Sequence, residues 1–355
     1  MKTINVGLVG CGQNSENHLR VYSHTRGVRL VAVCDRVFSR ARAMQRKYGA
    51  EHAFGDYESM LAIDLDLVDI VTPTLGHSRF SCLALERGRN VLVEKPMALS
   101  SKECSAMIRS ARKSGRTLCV NHNKLFFDSV MEIRRALDDN ALIASRMWIA
   151  HHFAYRHVMG TWRLRERFGG LMWDSMVHPV YLTEHLLGYA DSVYGVARKV
   201  KEDTFDSLSL LLQNDRVGLV EFVYAANWPS LELRLLGEDG ECLQADLVND
   251  VFTRRSLTPM GNRAMYAMHL ATEDARNYLA KCMRHLRNYS EIRSYPGAFP
   301  YQKTFFTIIG RYLSFLRGEA PNPPVSGEDG LRTVKVLEAA RKSIDTGRVQ
   351  RVTTV

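Results

Sequence analysis

Short apolar runs rich in β-branched residues punctuate the first 120 positions: INVGLV (4–9), RLVAVC (29–34), LVDIVT (67–72), NVLVEK (90–95) and TLCVNH (117–122). Between them, near 16–24, 39–48, 77–87 and 101–114, polar and apolar positions follow a helical period. Strands that are apolar at nearly every position suit a sheet covered on both faces. This half therefore predicts an α/β domain, a parallel sheet with right-handed helical crossovers. Ser100 and Glu103 are spaced as a capping box at the start of the fourth helix, and Gly115 is its expected stop.

The pattern changes after residue 125. A helix near 128–138 precedes a strand-like run at 145–152 and a helical stretch at 172–188. Then come SVYGVARKV, SLSLLLQ, VGLVEFVYA, LELRLLG and ECLQADL with no helices between them, and Asn214-Asp215 and Asp239-Gly240 mark turns. This predicts an α+β domain with an open, mostly antiparallel sheet. Helices are expected at 263–290 and 301–317, and a final amphipathic one at 328–347 that ends at Gly347. The expected division is 1–123 and 124–355, with the last helix returning to the first domain.

Hydrophobic residues make up 46% of the 355 and charged residues 24%, which is the composition of a folded globular chain. The net charge is +10, but Arg and Lys are spread along the whole chain and no nucleic-acid module is present. The charge points to an anionic small molecule or a solvated basic surface, and no nucleic-acid partner is expected. MKTINVGLVG enters an apolar run without a secretory leader, and nothing reads as a membrane span. The seven cysteines include no CxxC pair, which fits free thiols and a cytoplasmic protein.

The first strand runs into Gly10-Cys11-Gly12-Gln13-Asn14-Ser15, a G-x-G-x-x-S turn with Ser15 where a third small residue usually stands. Gly10 suits a tight turn, and Gly12 lets a pyrophosphate approach the backbone at a helix N-terminus. Asp35 ends the second strand, 23 positions after Gly12, where an acid bonds an adenosine ribose and repels a 2′-phosphate. Arg36 beside it is suited to stacking on adenine or to pairing with that phosphate. NAD is the expected cofactor, and NADP remains open.

Three further segments carry a resemblance. The first has Thr72-Pro73, His77 and Glu94-Lys95-Pro96; the second has Trp162-Arg163, Gly169-Gly170, Asp174 and His178; the third is PVSGEDGLRTVKVLEAARKSIDTGR. In this order after the first turn, they resemble the glucose–fructose oxidoreductase / inositol dehydrogenase / MocA family of NAD(P)-dependent oxidoreductases, over almost the whole chain. The resemblance implies hydride transfer between nicotinamide and a hydroxyl or carbonyl carbon of a sugar, polyol or sugar derivative, anionic or nucleotide-linked forms included. It also implies a homodimer or homotetramer built on the outer face of the second sheet. Two other readings keep the fold: a non-catalytic cofactor-sensing regulator, and an imine or C=C reductase.

The resemblance makes His178 the proton acceptor, Asp174 its tuning carboxylate and Lys95 the cation that polarises the reacting oxygen. An imidazole titrates near working pH, and four residues on a continuous helix place the acid and the ring on one face. Pro179 makes that condition depend on where the helix begins. From spacing alone, a capping Asp174 and an interior His178 are the favoured reading, and the resemblance reverses it. Gln13, Asn14, Thr72, Pro73, His77 and Glu94 are expected around the cofactor. Asn123, Lys124, His152, Tyr155 and Arg163 are candidates for substrate; Leu125 stands where resembling sequences often carry arginine. No metal is expected, because the lysine takes the place of a metal ion.

Overall fold

A computed structural model of the chain describes residues 2–138, 144–154, 165–199, 205, 207–226, 230–238, 241–255, 283 and 300–353. The expected helix at 263–290, apart from Met283, lies outside these residues. The chain divides into two compact units. One comprises Met1–Asn123, Arg167–Gly169 and Phe305–Glu338; the other comprises Lys124–Glu166, Gly170–Thr304 and Ala339–Val355.

The first unit holds β1 (Ile4–Val9), α1 (Ser15–His24), β2 (Val28–Cys34), α2 (Phe38–Tyr48), β3 (His52–Phe54), α3 (Tyr57–Leu61), β4 (Leu67–Ile70), α4 (His77–Glu86), β5 (Asn90–Glu94), α5 (Ser101–Ser114) and β6 (Leu118–Asn121). The strands pair in parallel in the order β3-β2-β1-β4-β5-β6. The order reverses beside β1, so the crevice at the carboxyl ends of β1 and β4 is where such a sheet takes a ligand. Val6, Leu8, Leu67, Ile70, Val91 and Val93 are fully or almost fully buried, as strands covered on both faces require.

The capping box forms as the spacing predicts: Ser100 Oγ accepts the Glu103 N–H, and the Glu103 carboxylate accepts the Ser100 N–H. Gly115, at φ +63°, closes the helix. The three-residue β3 and five-residue α3 escaped the sequence reading because they are too short to show a period.

Two later helices, α8 (Pro300–Leu316) and α9 (Gly327–Thr346), contribute to this unit up to Glu338. Tyr312 Oη donates to Val91 O, and Glu338 accepts the Ser101 N–H. A bridge between Cys119 and Ser326 covers the edge strand β6.

In the second unit, α6 (Asp128–Asp138), β7 (Ala144–Ala154), a π turn at Met172–Met176 and α7 (Val177–Leu187) precede β8 (Ser192–Arg198), β9 (Ser207–Gln213), β10 (Val217–Ala226), β11 (Ser230–Gly237), β12 (Cys242–Asp246) and β13 (Val251–Arg255). With β14 (Gln350–Arg351) they form one sheet, β13-β12-β11-β7-β10-β9-β8-β14. Every pairing is antiparallel except β7 with β10. One face carries the buried Leu208, Leu210, Val220, Phe222, Leu233 and Leu235. The other face is wetter and carries a cross-strand row, Tyr194–Leu211–Leu219–Trp148–Arg234, aligned by register.

Candidate active site

Gly10 sits at φ +99°, and a Cβ there would lie 2.6 Å from Val71 O, so glycine is required where β1 passes the end of β4. Gly10 N also donates to Cys34 O at 2.8 Å, which ties the turn to β2. Gly12 differs: a Cβ there meets no atom within 4 Å. The turn thus leaves open space over its second glycine, ahead of a ten-residue helix whose first N–H groups lack helical acceptors. Ser15 takes the third small position and turns its hydroxyl onto Gly12 O at 2.6 Å, so a serine fits fully buried.

Asp35 accepts the N–H of Cys11 at 2.9 Å and of Val37 at 2.8 Å, which holds its carboxylate beside the turn. Gln13 and Arg36 are exposed, and Asn14 is half-buried, with its Oδ1 accepting from Asn17 Nδ2. The open cradle, the helix N-terminus and the anchored acid suit a dinucleotide's pyrophosphate and ribose.

At the next strand end, Pro73 is exposed, and the buried Thr72 hydroxyl has no hydrogen-bond partner among the described residues. His77 is buried. Its Nε2 lies 2.8 Å from Thr72 O and its Nδ1 2.9 Å from Pro96 O. Burial lowers its pKa, against the pull of the two carbonyls. Its two nitrogens face main-chain carbonyls on either side, and a neutral ring donates to one of them, so His77 sits wedged between the loop after β4 and the loop after β5.

Glu94 is likewise engaged within its own unit. Its Oε1 accepts from His18 Nε2 at 2.8 Å and from Asn121 Nδ2 at 2.6 Å, and its Oε2 accepts the Lys95 N–H at 3.1 Å. Burial alone would raise its pKa, but the His18 bond and charge, with Lys95, hold it well below the usual carboxylate range. Lys95 follows, half-buried, joined to Pro96 by a cis peptide.

In the second unit, helical backbone runs unbroken from Gly170 through the π turn at Met172–Met176 into α7, so Pro179 lies inside the helical run, just after the widened turn that accommodates a residue without an N–H. Asp174 lies in the preceding π turn, and the Ser175 hydroxyl donates to it at 3.3 Å. His178 is buried, with Nδ1 2.9 Å from the Tyr181 hydroxyl and its ring 6.1 Å, edge-on, from that of His151. The Lys124 N–H donates to the same Tyr181 oxygen at 3.3 Å.

Tyr181 is therefore a site residue the sequence reading missed; its i+3 spacing from His178 was the available signal. Asn123 and Lys124 are buried in the turn after β6. His152 lies on β7, while Tyr155 and Arg163 lie outside the described residues.

Two family models match the chain. An oxidoreductase family with an NAD-binding Rossmann fold matches residues 4–122, and the GFO/IDH/MocA C-terminal domain matches residues 130–242. The chain is 33% identical over 361 residues to D-apiose dehydrogenase of Paraburkholderia graminis, covering 98% of this chain and 89% of that one. It is 22% identical to scyllo-inositol 2-dehydrogenase (NADP(+)) of Bacillus subtilis, over 79% of this chain and 76% of that one. The WlbA dehydrogenase of Bordetella pertussis, solved with NADH and UDP-GlcNAcA, shares the fold at a TM-score of 0.81 and 20% identity, over 100% of this chain and 99% of that one.

Proposed function

The chain belongs to the GFO/IDH/MocA family of NAD-binding oxidoreductases, and on that premise we propose that it oxidises a CH–OH group of a sugar, polyol or sugar derivative, or reduces the matching carbonyl. The observation that carries this reading is the open cradle at Gly12, backed by Asp35, in a chain that also holds Lys95, Asp174 and His178. Bound there, the nicotinamide supplies a hydride acceptor or donor. Gly10, Gly12, Gln13, Asn14 and Asp35 would hold its pyrophosphate and adenosine ribose; Thr72, Pro73, Glu94 and Lys95 would lie toward its nicotinamide. Asp35 disfavours a 2′-phosphate and makes NAD the better fit, while the exposed Arg36 is the group that favours NADP.

His178 accepts the hydroxyl proton at Nε2. For that, Nδ1 must carry the ring's other proton, and the Tyr181 oxygen is placed to accept it. Asp174 stabilises the imidazolium that results, and Lys95 stabilises negative charge on the substrate oxygen. The same groups in reverse protonate an alkoxide. Asn123, Lys124, His152, Tyr155 and Arg163 are the groups we assign to substrate, cationic in part and so suited to an anionic one.

The exposed row on the second sheet supports a homo-oligomer: Tyr194, Leu211 and Leu219 are 38%, 40% and 38% accessible. The free, mostly buried thiols support a reducing compartment.

The test is nicotinamide absorbance with NAD or NADP against a panel of sugars, polyols and sugar acids. Turnover on at least one, abolished in His178→Ala, is expected. Tight cofactor binding with no turnover on any of them favours a regulator instead.

A further inference from the structure

His18 lies one turn into α1, the helix that follows the dinucleotide turn, and its side chain is fully buried. Both ring nitrogens face carboxylates: Nδ1 is 2.7 Å from Asp69 Oδ2, and Nε2 is 2.8 Å from Glu94 Oε1. Each of those oxygens also takes a second donor, the Tyr22 hydroxyl at 2.7 Å on Asp69 and Asn121 Nδ2 at 2.6 Å on Glu94.

Both ring nitrogens meet hydrogen-bond acceptors. A neutral imidazole satisfies both contacts only if Asp69 or Glu94 carries a proton, and a carboxylate is the weaker base, so the proton belongs on the ring. The set then closes with an imidazolium between two carboxylates. The hydrogen bonds and charges of Asp69 and Glu94 outweigh the burial that opposes this charge and raise the His18 pKa to about 10.

The groups around the ring are Asp69 on β4, Glu94 on β5, Asn121 on β6, Tyr22 on α1 and Phe305 on α8, with Cys119 and Tyr312 acting through Tyr22. Beyond Glu94 the contacts reach the main chain of Lys95.

We propose that His18 is a charged positioning residue: it locks Glu94, and through Glu94 the Lys95 main chain, to the helix that carries the phosphate-binding turn. One ionic strut then holds the cofactor cradle and the lysine in register. A strut of opposite charges in direct hydrogen-bond contact gives a fixed distance that thermal motion and pH changes near neutrality leave alone. Tyr22 and Asn121 each add a second donor, to Asp69 Oδ2 and Glu94 Oε1. This rests on the proposed role of Lys95.

The test has two arms. In the NAD-bound wild-type protein, ring ¹⁵N NMR of His18, assigned by its loss in His18→Gln, should show two protonated nitrogens and no titration across the neutral range. A neutral tautomer, or a titration there, overturns the proposal whether or not any substrate has been found. In the kinetic arm, His18→Gln and Glu94→Gln should each lower kcat on the order of 10- to 100-fold with little change in the cofactor KM. The double variant should be no worse than the poorer single one. Unchanged kcat, or additive losses, overturns the strut. If His18→Gln does not fold, Glu94→Gln and Glu94→Asp decide: kcat partly restored by Asp supports the strut, and equal kcat in both with wild-type overturns it. Failure of Lys95→Ala to slow turnover would instead remove the role of Lys95, leaving the NMR result standing.

Discussion

In the first unit, the residue pair that ends β5 is held by buried titratable groups: His18 between the Asp69 and Glu94 carboxylates, with Glu94 also accepting the Lys95 N–H. In the second unit, His178 is held by a neutral hydroxyl, Tyr181, on the next turn of its own helix. The first arrangement spans three strands and a helix, and with His18 charged as proposed it keeps its charge near neutrality. The second is local to α7. The difference matches the two tasks proposed for Lys95 and His178, because a polarising cation needs a fixed place while a proton carrier needs a ring that can gain and lose a proton.

The largest break in this comparison is His178→Ala. It removes the proton carrier and should lower kcat by about 10²- to 10⁴-fold, read by nicotinamide absorbance. Lys95→Ala should follow at about 10²- to 10³-fold, since it removes one stabilising donor.

Tyr181→Phe sharpens the contrast. It leaves α7 intact but releases Nδ1, so kcat should fall about tenfold and the acid limb of kcat/KM should move, while cofactor affinity measured by NADH fluorescence stays the same.

The ionic half has its own pH signature. The His18 pKa is raised in the folded protein, so its contribution to stability is complete below the unfolded value near ~6.5 and is lost as pH rises through about 10. Denaturant midpoints should therefore fall at alkaline pH, and less so in His18→Gln. The smallest effect is Ser100→Ala, which removes the capping box and should cost about 1 kcal/mol of stability in urea.

Much of the first unit was readable in one dimension because its signals are local. Apolar runs, a glycine turn and a capping box depend on neighbours a few residues away. Asp35 was readable too, since a fixed spacing follows from the strand–helix–strand unit. In the second unit the strands were legible, but the parallel β7–β10 pair was not, because nothing in 145–152 or 217–225 states which strand lies beside which. The π turn before α7 escaped for a related reason: it adjusts the backbone to packing and has no sequence period of its own.

The residues alone determined which groups are present for chemistry: a lysine before a proline, an acid and an imidazole four apart, and glycines at a strand end. The tertiary structure decided what surrounds them. His18, Asp69, Glu94 and Asn121 are separated by up to 103 positions, yet they share one proton-tight cluster. A buried charge persists only where folding brings the opposite charge within hydrogen-bond reach. That condition belongs to the folded chain in three dimensions, so no local pattern can carry it.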